Sequence, residues 1–149
     1  MNPYGVAVVL QSTGKLIEGH ILVSNFNNSS NLQGTRATIV QIGPGRGIQC
    51  IRFNKRENIA GCLPGRGWIN YSTLVLRTGW VIVGVLPTSD GTAATANAGC
   101  LLVLNKSGTV VETFAGSVNR VAIKDPWDMT ALVLRPPRNC FAPTFSTEE

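Results

Sequence analysis

Charged side chains are scarce in this chain of 149 residues, because Asp, Glu, Lys and Arg make up only 14% of it. A typical soluble domain contains roughly 25% of these residues. Hydrophobic residues make up 44%, so the chain can bury a sizeable core and is too apolar for intrinsic disorder. Long apolar runs are missing too, since none approaches the roughly 18 residues of a membrane span. We therefore expect a single globular domain over residues 1–149 that does not contact a membrane.

The N-terminal residues MNPYGVAVVLQSTGK lack the charged segment and following apolar stretch of a secretory signal. On that ground we expect a cytoplasmic protein. The four cysteines are too widely spaced for a paired CxxC metal knuckle, which predicts reduced thiols. Cys100, within AGCLLVL, is predicted to face the core because free cysteine behaves as a small hydrophobe.

Several motifs of common catalytic sites are also missing. There is no GxSxG motif, and His20 is the single histidine, which disfavours a Cys–His catalytic pair. GPGRG and PGRG lack the Lys-Ser/Thr of a phosphate loop and are predicted to form tight turns.

The net charge of +5 has a local origin. Arg46, Arg52, Lys55, Arg56 and Arg66 lie close together in the sequence. Such a patch can attract nucleic acid, but no nucleic-acid-binding motif accompanies it. A solvated loop is the preferred interpretation, and we expect no nucleic-acid partner.

An internal repeat is the strongest signal in the chain. Three segments that begin with proline run into apolar strands, and Pro3, Pro64 and Pro126 are 61 and 62 positions apart. GHILVSNF and GWVIVGVL are separated by 60 positions, and ATIVQIGPG and GCLLVLNKSG by 62. The repeat divides the chain into units over residues 3–63 and 64–125 and a partial unit over 126–149.

Each unit is predicted to contain four short strands. In the second unit, Val, Ile, Leu and Thr are concentrated in four segments separated by turn residues. These segments are Ser72–Arg77, Trp80–Leu86, Cys100–Asn105 and Val110–Ala115. Gly108 is expected to supply the positive φ of the last turn. The fold class is therefore all-β, and a repeated four-stranded antiparallel meander is the blade of a β-propeller.

The segments GHILVSNFNNSSNLQGT and GWVIVGVLPTSDGTAATANAGCLLVLNKSGTVVETFAGS resemble bacterial NHL-repeat-like β-propeller proteins. PWDMTAL looks like the start of the next blade of that family. The resemblance covers most of the chain outside residues 46–71 and 135–149. It implies propeller-like four-stranded blades in an incomplete ring, and it leaves a secreted origin open beside the cytoplasmic one.

At about 61 residues per blade, the chain holds roughly 2.4 blades, whereas closed propellers typically have four to eight. An isolated pair of blades leaves open sheet edges, which favour association. We expect a homo-oligomer through these edges. A fragment of a longer propeller and a rearranged sandwich or open barrel are the alternatives.

Polar residues just after strands are the candidate functional groups. Asn25 and Asn27 belong to the Asn- and Ser-rich stretch 24–31 that follows the strand HILV, and their oxygens suit Ca²⁺. Asp90 follows the equivalent strand of the second unit, and Asp128 begins the third proline segment. Asx-turns and capping of backbone N–H groups are the competing interpretation for all of these residues.

A weaker likeness, to gluconolactonase-like and paraoxonase-like propellers, implies a calcium site that polarises a lactone carbonyl. Asn25, Asn27, Asp90 and Asp128 would then be the metal ligands. His20 and Asp128 would be the catalytic residues, with His20 assisting a water and Glu18 orienting the imidazole.

Two functions therefore stay open, and the first is the preferred hypothesis. One is a Ca²⁺-dependent hydrolase of small cyclic esters, with an acyl-homoserine lactone or a sugar lactone as substrate. The other is a non-catalytic propeller fragment or scaffold that binds a protein or a ligand through its loops.

Overall fold

The computed structural model describes residues 2–27, 38–45, 47–52, 62, 67–90, 92–118, 121–124, 126, 128–134 and 138–144. In this part of the chain, β-strands account for nearly all of the regular structure, with one short 3-10 turn at Ala93–Thr95. The all-β prediction is therefore confirmed. No helix among these residues is long and apolar enough to cross a membrane.

The first unit is a four-stranded antiparallel sheet whose strands are neighbours in chain order. Its strands are β1 (Asn2–Val8), β2 (Ile21–Asn27), β3 (Thr38–Ile42) and β4 (Ile48–Arg52). Apolar residues recur along these strands because side chains alternate between the two faces of a sheet. The predicted GPGRG turn joins β3 to β4, where the Gly43 N–H donates to the Gly47 carbonyl at 3.1 Å.

The second unit repeats this sheet, again with its strands in chain order. Its strands are β5 (Gly67–Val75), β6 (Val81–Thr88), β7 (Cys100–Leu104) and β8 (Val110–Ala115). The predicted bounds of β8 are confirmed, whereas β5 begins five residues earlier than predicted and β6 extends to Thr88. Gly108 has a φ of 80° in the β7–β8 turn, as predicted.

The third unit is represented by the antiparallel pair β11 (Asp128–Leu134) and β12 (Arg138–Thr144). Between it and β8, β9 (Ser117–Val118) and β10 (Val121–Ala122) form a small two-stranded ladder. The described residues therefore contain two four-stranded sheets followed by two two-stranded pairs.

The second unit lies between the other two and packs against both. One face of β5–β8, which includes Val83 and Leu102, shares a core with Leu22 and Ile39 of the first sheet. The opposite face, which includes Ile82, packs with Ile123 and Met129. Both faces of the sheet are thus buried at β6, which explains why this strand is a continuous apolar run rather than an alternating one.

The long β1–β2 connection is hydrogen-bonded to the second unit. The Lys15 N–H donates to the Lys106 carbonyl at 3.0 Å. Gly14, with a φ of 59°, lies directly against that carbonyl and leaves no room for a β-carbon. Buried Gln41 holds the same connection to β3, because its amide accepts from the Ile17 N–H at 3.0 Å and donates to the Lys15 carbonyl at 3.2 Å.

Among the described residues, the sheets do not form a closed or propeller-type ring. Cys100 is fully buried, as predicted for a core residue. Where the sequence predicts reduced thiols, the structure joins Cys62 and Cys100 in a disulfide, with Cα atoms 6.0 Å apart. Cys50 is a free, exposed cysteine.

Candidate functional site

Asp90 organises the turn that follows β6. Its Oδ1 accepts hydrogen bonds from the Thr92 N–H and the Thr92 hydroxyl, both at 2.8 Å, and from the Thr95 hydroxyl. The Thr95 hydroxyl and then the Thr92 N–H hold the pKa of Asp90 below its ordinary value, because both stabilise the carboxylate. This is the pattern of the competing interpretation, a carboxylate that caps its own turn.

This geometry predicts a pH response confined to one loop. A carboxyl pKa that folding lowers stabilises the folded loop above the ordinary pKa of about 3.9, and that contribution is lost as the pH falls through the lowered value. In an NMR titration from pH 6 to pH 2, we expect the Thr92 amide signal to move with a midpoint below that of an exposed aspartate.

The Asp90→Asn variant should abolish this transition in the Thr92 signal, and adding Ca²⁺ to the wild type should leave the signal in place. A midpoint at or above about 3.9, or a large shift on adding Ca²⁺, would contradict the capping role.

Asn25 does not lie in a loop. The prediction that a loop follows HILV is wrong, because β2 extends to Asn27. Asn25 is buried within the sheet, and its amide Nδ2 donates to the Thr38 hydroxyl of β3 at 2.9 Å. Asn27 ends β2, and its side chain lies outside the described residues.

Asp128 is the first residue of β11 and is exposed. Its Oδ1 accepts from the neighbouring Met129 N–H at 2.7 Å, which is a backbone-capping bond of the kind that the competing interpretation describes. Asp128 also lines a groove between β1, β5 and β11.

His20 lies at the other end of the first sheet. It immediately precedes β2, whereas Asn25 is five residues further along the strand, a separation of about 17 Å at the usual rise of a strand. The imidazole lies on the backbone of Gly43, where a β-carbon would come within 2.7 Å of its Cε1. Glu18 is exposed in the preceding turn, so the prediction that it shares a strand face with His20 is wrong.

The predicted calcium ligands lie on different elements, with Asn25 in β2, Asp90 after β6 and Asp128 at the start of β11. In the part of the chain that the structure describes, no three His, Cys, Asp or Glu side chains are close enough together to hold a metal ion. Asn25 and Asp90 are engaged in the local hydrogen bonds described above. A water-activating His20 would lie at the end of β2 opposite to Asn25.

The basic patch lies mainly outside the described residues, which include neither Arg46, Lys55, Arg56 nor Arg66. Arg52 is the last residue of β4.

The first strands of the three units form a groove. It has a volume of about 700 Å³ and is lined by residues of β1, β5 and β11. Its walls combine polar and apolar surface and include Tyr4, Leu74 and Met129. Thr73 also lines the groove, is only 7% exposed, and has a buried hydroxyl with no hydrogen-bond partner among the described residues.

Sequence reasoning missed this groove because it searched for polar residues in loops. One signal was available, since the start of the chain places Tyr4, Val6, Val8 and Leu10 at every second position, and all four line the groove. That pattern indicates one apolar strand face, but it does not show which other strands complete a site.

Comparisons of this chain with protein-family models, with curated proteins and with solved structures gave no match. Any inference about function therefore depends on the residues and the geometry described above.

Proposed function

We propose that this protein is a non-catalytic binding module whose units pack in the manner of β-propeller blades. The order of the first strands supports the propeller-type arrangement, because β1 lies beside β5 and β5 lies beside β11. In a propeller, the first strand of each blade likewise lies next to its counterparts and lines a central channel. The NHL-like resemblance of the repeat is consistent with the same arrangement.

The unpaired Thr73 hydroxyl at the groove is the observation that carries the binding proposal. A buried hydroxyl without a partner costs roughly 1–3 kcal/mol, so buried polar groups are nearly always satisfied. The oxygen has almost no accessible surface, so a ligand removes this cost only where its hydrogen-bonding group enters the groove wall at Thr73. The hydroxyl therefore gives the groove both affinity and orientation for such a ligand.

The size and lining of the groove indicate the class of ligand. Pockets for small molecules usually have volumes of roughly 300–1,000 Å³, apolar walls and a few polar groups. The groove of about 700 Å³, with Leu74 and Met129 in its walls and Thr73 as a polar contact, suits a compact apolar molecule that carries one hydrogen-bonding group.

The calcium-dependent lactone hydrolase is the competing hypothesis, and the geometry supports it less well. Asp90 and Asp128 both use Oδ1 to bind local backbone N–H groups. The groove is lined by Asp128, but its lining includes neither His20, Asn25 nor Asp90.

Thr73→Val separates the binding role from a structural one. The probe is N-phenyl-1-naphthylamine, a neutral apolar fluorophore with one N–H donor. We expect the wild type to bind it saturably and the Thr73→Val variant to bind it five- to tenfold more weakly, because a neutral hydrogen bond contributes about 1 kcal/mol. Without the probe, the variant should be at least as stable as the wild type, because its hydroxyl has no partner to lose.

The matched control is Thr113→Val on β8, the strand of the same sheet that lies farthest from β5. It should leave probe affinity unchanged. Equal affinities of the wild type and Thr73→Val, or no saturable binding at all, would overturn the binding proposal.

A lactone panel tests the competing hypothesis directly. Acyl-homoserine and sugar lactones are incubated with the protein in Ca²⁺ and in EDTA, and we expect no turnover in either. Ring opening that needs Ca²⁺ and is lost in both Asp90→Ala and Asp128→Ala would establish the hydrolase instead.

A further inference from the structure

The first sheet has an outer face with several exposed apolar residues, opposite to the face that packs on the second unit. The strand register places the residues of this outer face side by side in two rows across the sheet, in which Val23 is buried, and Val6 and Val8 also line the groove described above. The rows are Val8–Ile21–Ile42–Ile48 and Val6–Val23–Val40–Cys50. Val6 is 61% exposed, Val8 52% and Ile48 69%. Exposed apolar residues grouped in this way mark an interaction surface.

The sequence repeat identifies the counterpart of this face in the second unit. In the repeat, Ile21 and Val23 of β2 are equivalent to Val81 and Val83 near the start of β6. Val81 is 4% exposed and Val83 is fully buried, because the face that carries them packs on the inner face of the first sheet. This face is thus covered by a preceding unit in the second repeat, whereas in the first repeat Ile21 is 40% exposed and Val23 is 8% exposed.

The units stack in one direction. The first sheet covers the second with the face that carries Leu22, and the second sheet turns the equivalent face, which carries Ile82, to the third unit. If the same order continues, the outer face of β1–β4 packs against a unit equivalent to the third one, that is, against a β11–β12 pair.

We propose that the β11–β12 pair of a second copy of this chain covers the outer face of the first sheet. Met129 packs against the second unit of its own chain, so the neighbouring Thr130, which is exposed, lies on the side of β11 that would meet the partner. The contact is head-to-tail, and two such contacts close a ring of two copies.

The number of units in two copies is compatible with a closed ring of blades. Each copy contributes two four-stranded sheets and one two-stranded pair, so two copies supply four complete sheets and two pairs, within the four to eight blades of known propellers. The inference rests on the propeller-type arrangement proposed above, but it does not depend on ligand binding in the groove. Its experiments measure assembly, so their failure is distinguishable from a failure of probe binding.

The mass of the full chain in solution is the first test. We expect light scattering coupled to gel filtration to give twice the 15.9 kDa of the chain at micromolar concentration. Ile48→Lys, at a residue of the outer face that does not line the groove, should weaken the dimer at least tenfold, because it places a charge in an apolar contact. The matched control is Val111→Lys, at a valine of β8 that is 46% exposed, and it should leave the mass unchanged.

Mixing two variants tests the head-to-tail geometry. Thr130→Glu changes the opposite surface and should also give monomers. Mixed in equal amounts, the Ile48→Lys and Thr130→Glu chains should associate again, because each retains the surface that the other lacks. A contact between two identical outer faces would instead leave Thr130→Glu dimeric, and that result would overturn the proposal.

Cys50 provides a readout that needs no substitution. It lies on the outer face and is exposed within one chain. Its labelling by a maleimide, located by peptide mass spectrometry, should slow at least tenfold as protein concentration rises through the dimer range. Circular dichroism of each variant verifies that it is folded. A folded wild type that stays monomeric at all concentrations, or labelling of Cys50 that does not depend on concentration, would overturn the proposal.

Discussion

Leu22→Ala is expected to lower the free energy of unfolding by about 3 kcal/mol. Leu22 is fully buried where the first sheet packs on the second, and it belongs to the same apolar cluster as Val81 and Leu104. Truncation removes buried methyl groups and leaves a cavity that two rigid sheets cannot close. Urea unfolding followed by circular dichroism measures the change, with protein concentration held fixed because association also contributes to stability.

Val111→Ala is the control for this change. Val111 is exposed on β8, so its truncation should alter stability by no more than about 0.5 kcal/mol. A Leu22→Ala protein as stable as the control would mean that the two sheets are not packed through this face. The proposed stacking of the units would then fail as well.

The second large effect concerns the disulfide. Cys62→Ser is expected to lower the free energy of unfolding by about 3–4 kcal/mol, because the bond joins residues 38 positions apart and restricts the unfolded chain. The substitution also places a hydroxyl at a site that is largely buried next to Cys100. Thermal unfolding under oxidising conditions measures the loss.

A reductant and a second substitution test whether the loss of the disulfide causes the loss of stability. Reduction of the wild type should lower its stability to nearly that of Cys62→Ser, whereas the variant should not respond to reductant. Cys50→Ser should have little effect, since Cys50 is exposed and unpaired. A wild type whose stability does not change on reduction would contradict a structural role for the bond.

Local chemistry was sufficient to predict the strands and their repetition. Val110–Ala115 was predicted as a strand with its bounds correct, because its residues have high β-propensity and Gly108 ends the preceding turn. The order of the units along the chain also followed from the spacing of the proline segments.

The candidate site was much less predictable. Asn25 looked like a loop ligand because asparagine favours turns, but its hydrogen bond to Thr38 places it inside a sheet. Asp90 looked like a ligand or a turn residue, and only the positions of Thr92 and Thr95 show that it caps a turn. The groove at Thr73 brings together strands that are far apart in the sequence, so no local pattern could indicate it.

The sequence by itself determined which segments form strands, where the chain turns and how many units it contains, because these depend on residues that are neighbours along the chain. Only the tertiary structure decided which face of each sheet is covered. Val8 and Val83 have the same side chain and both lie in strands, yet one is 52% exposed and the other is fully buried. The difference arises because burial depends on which sheet packs on which, and that is set by contacts between distant segments.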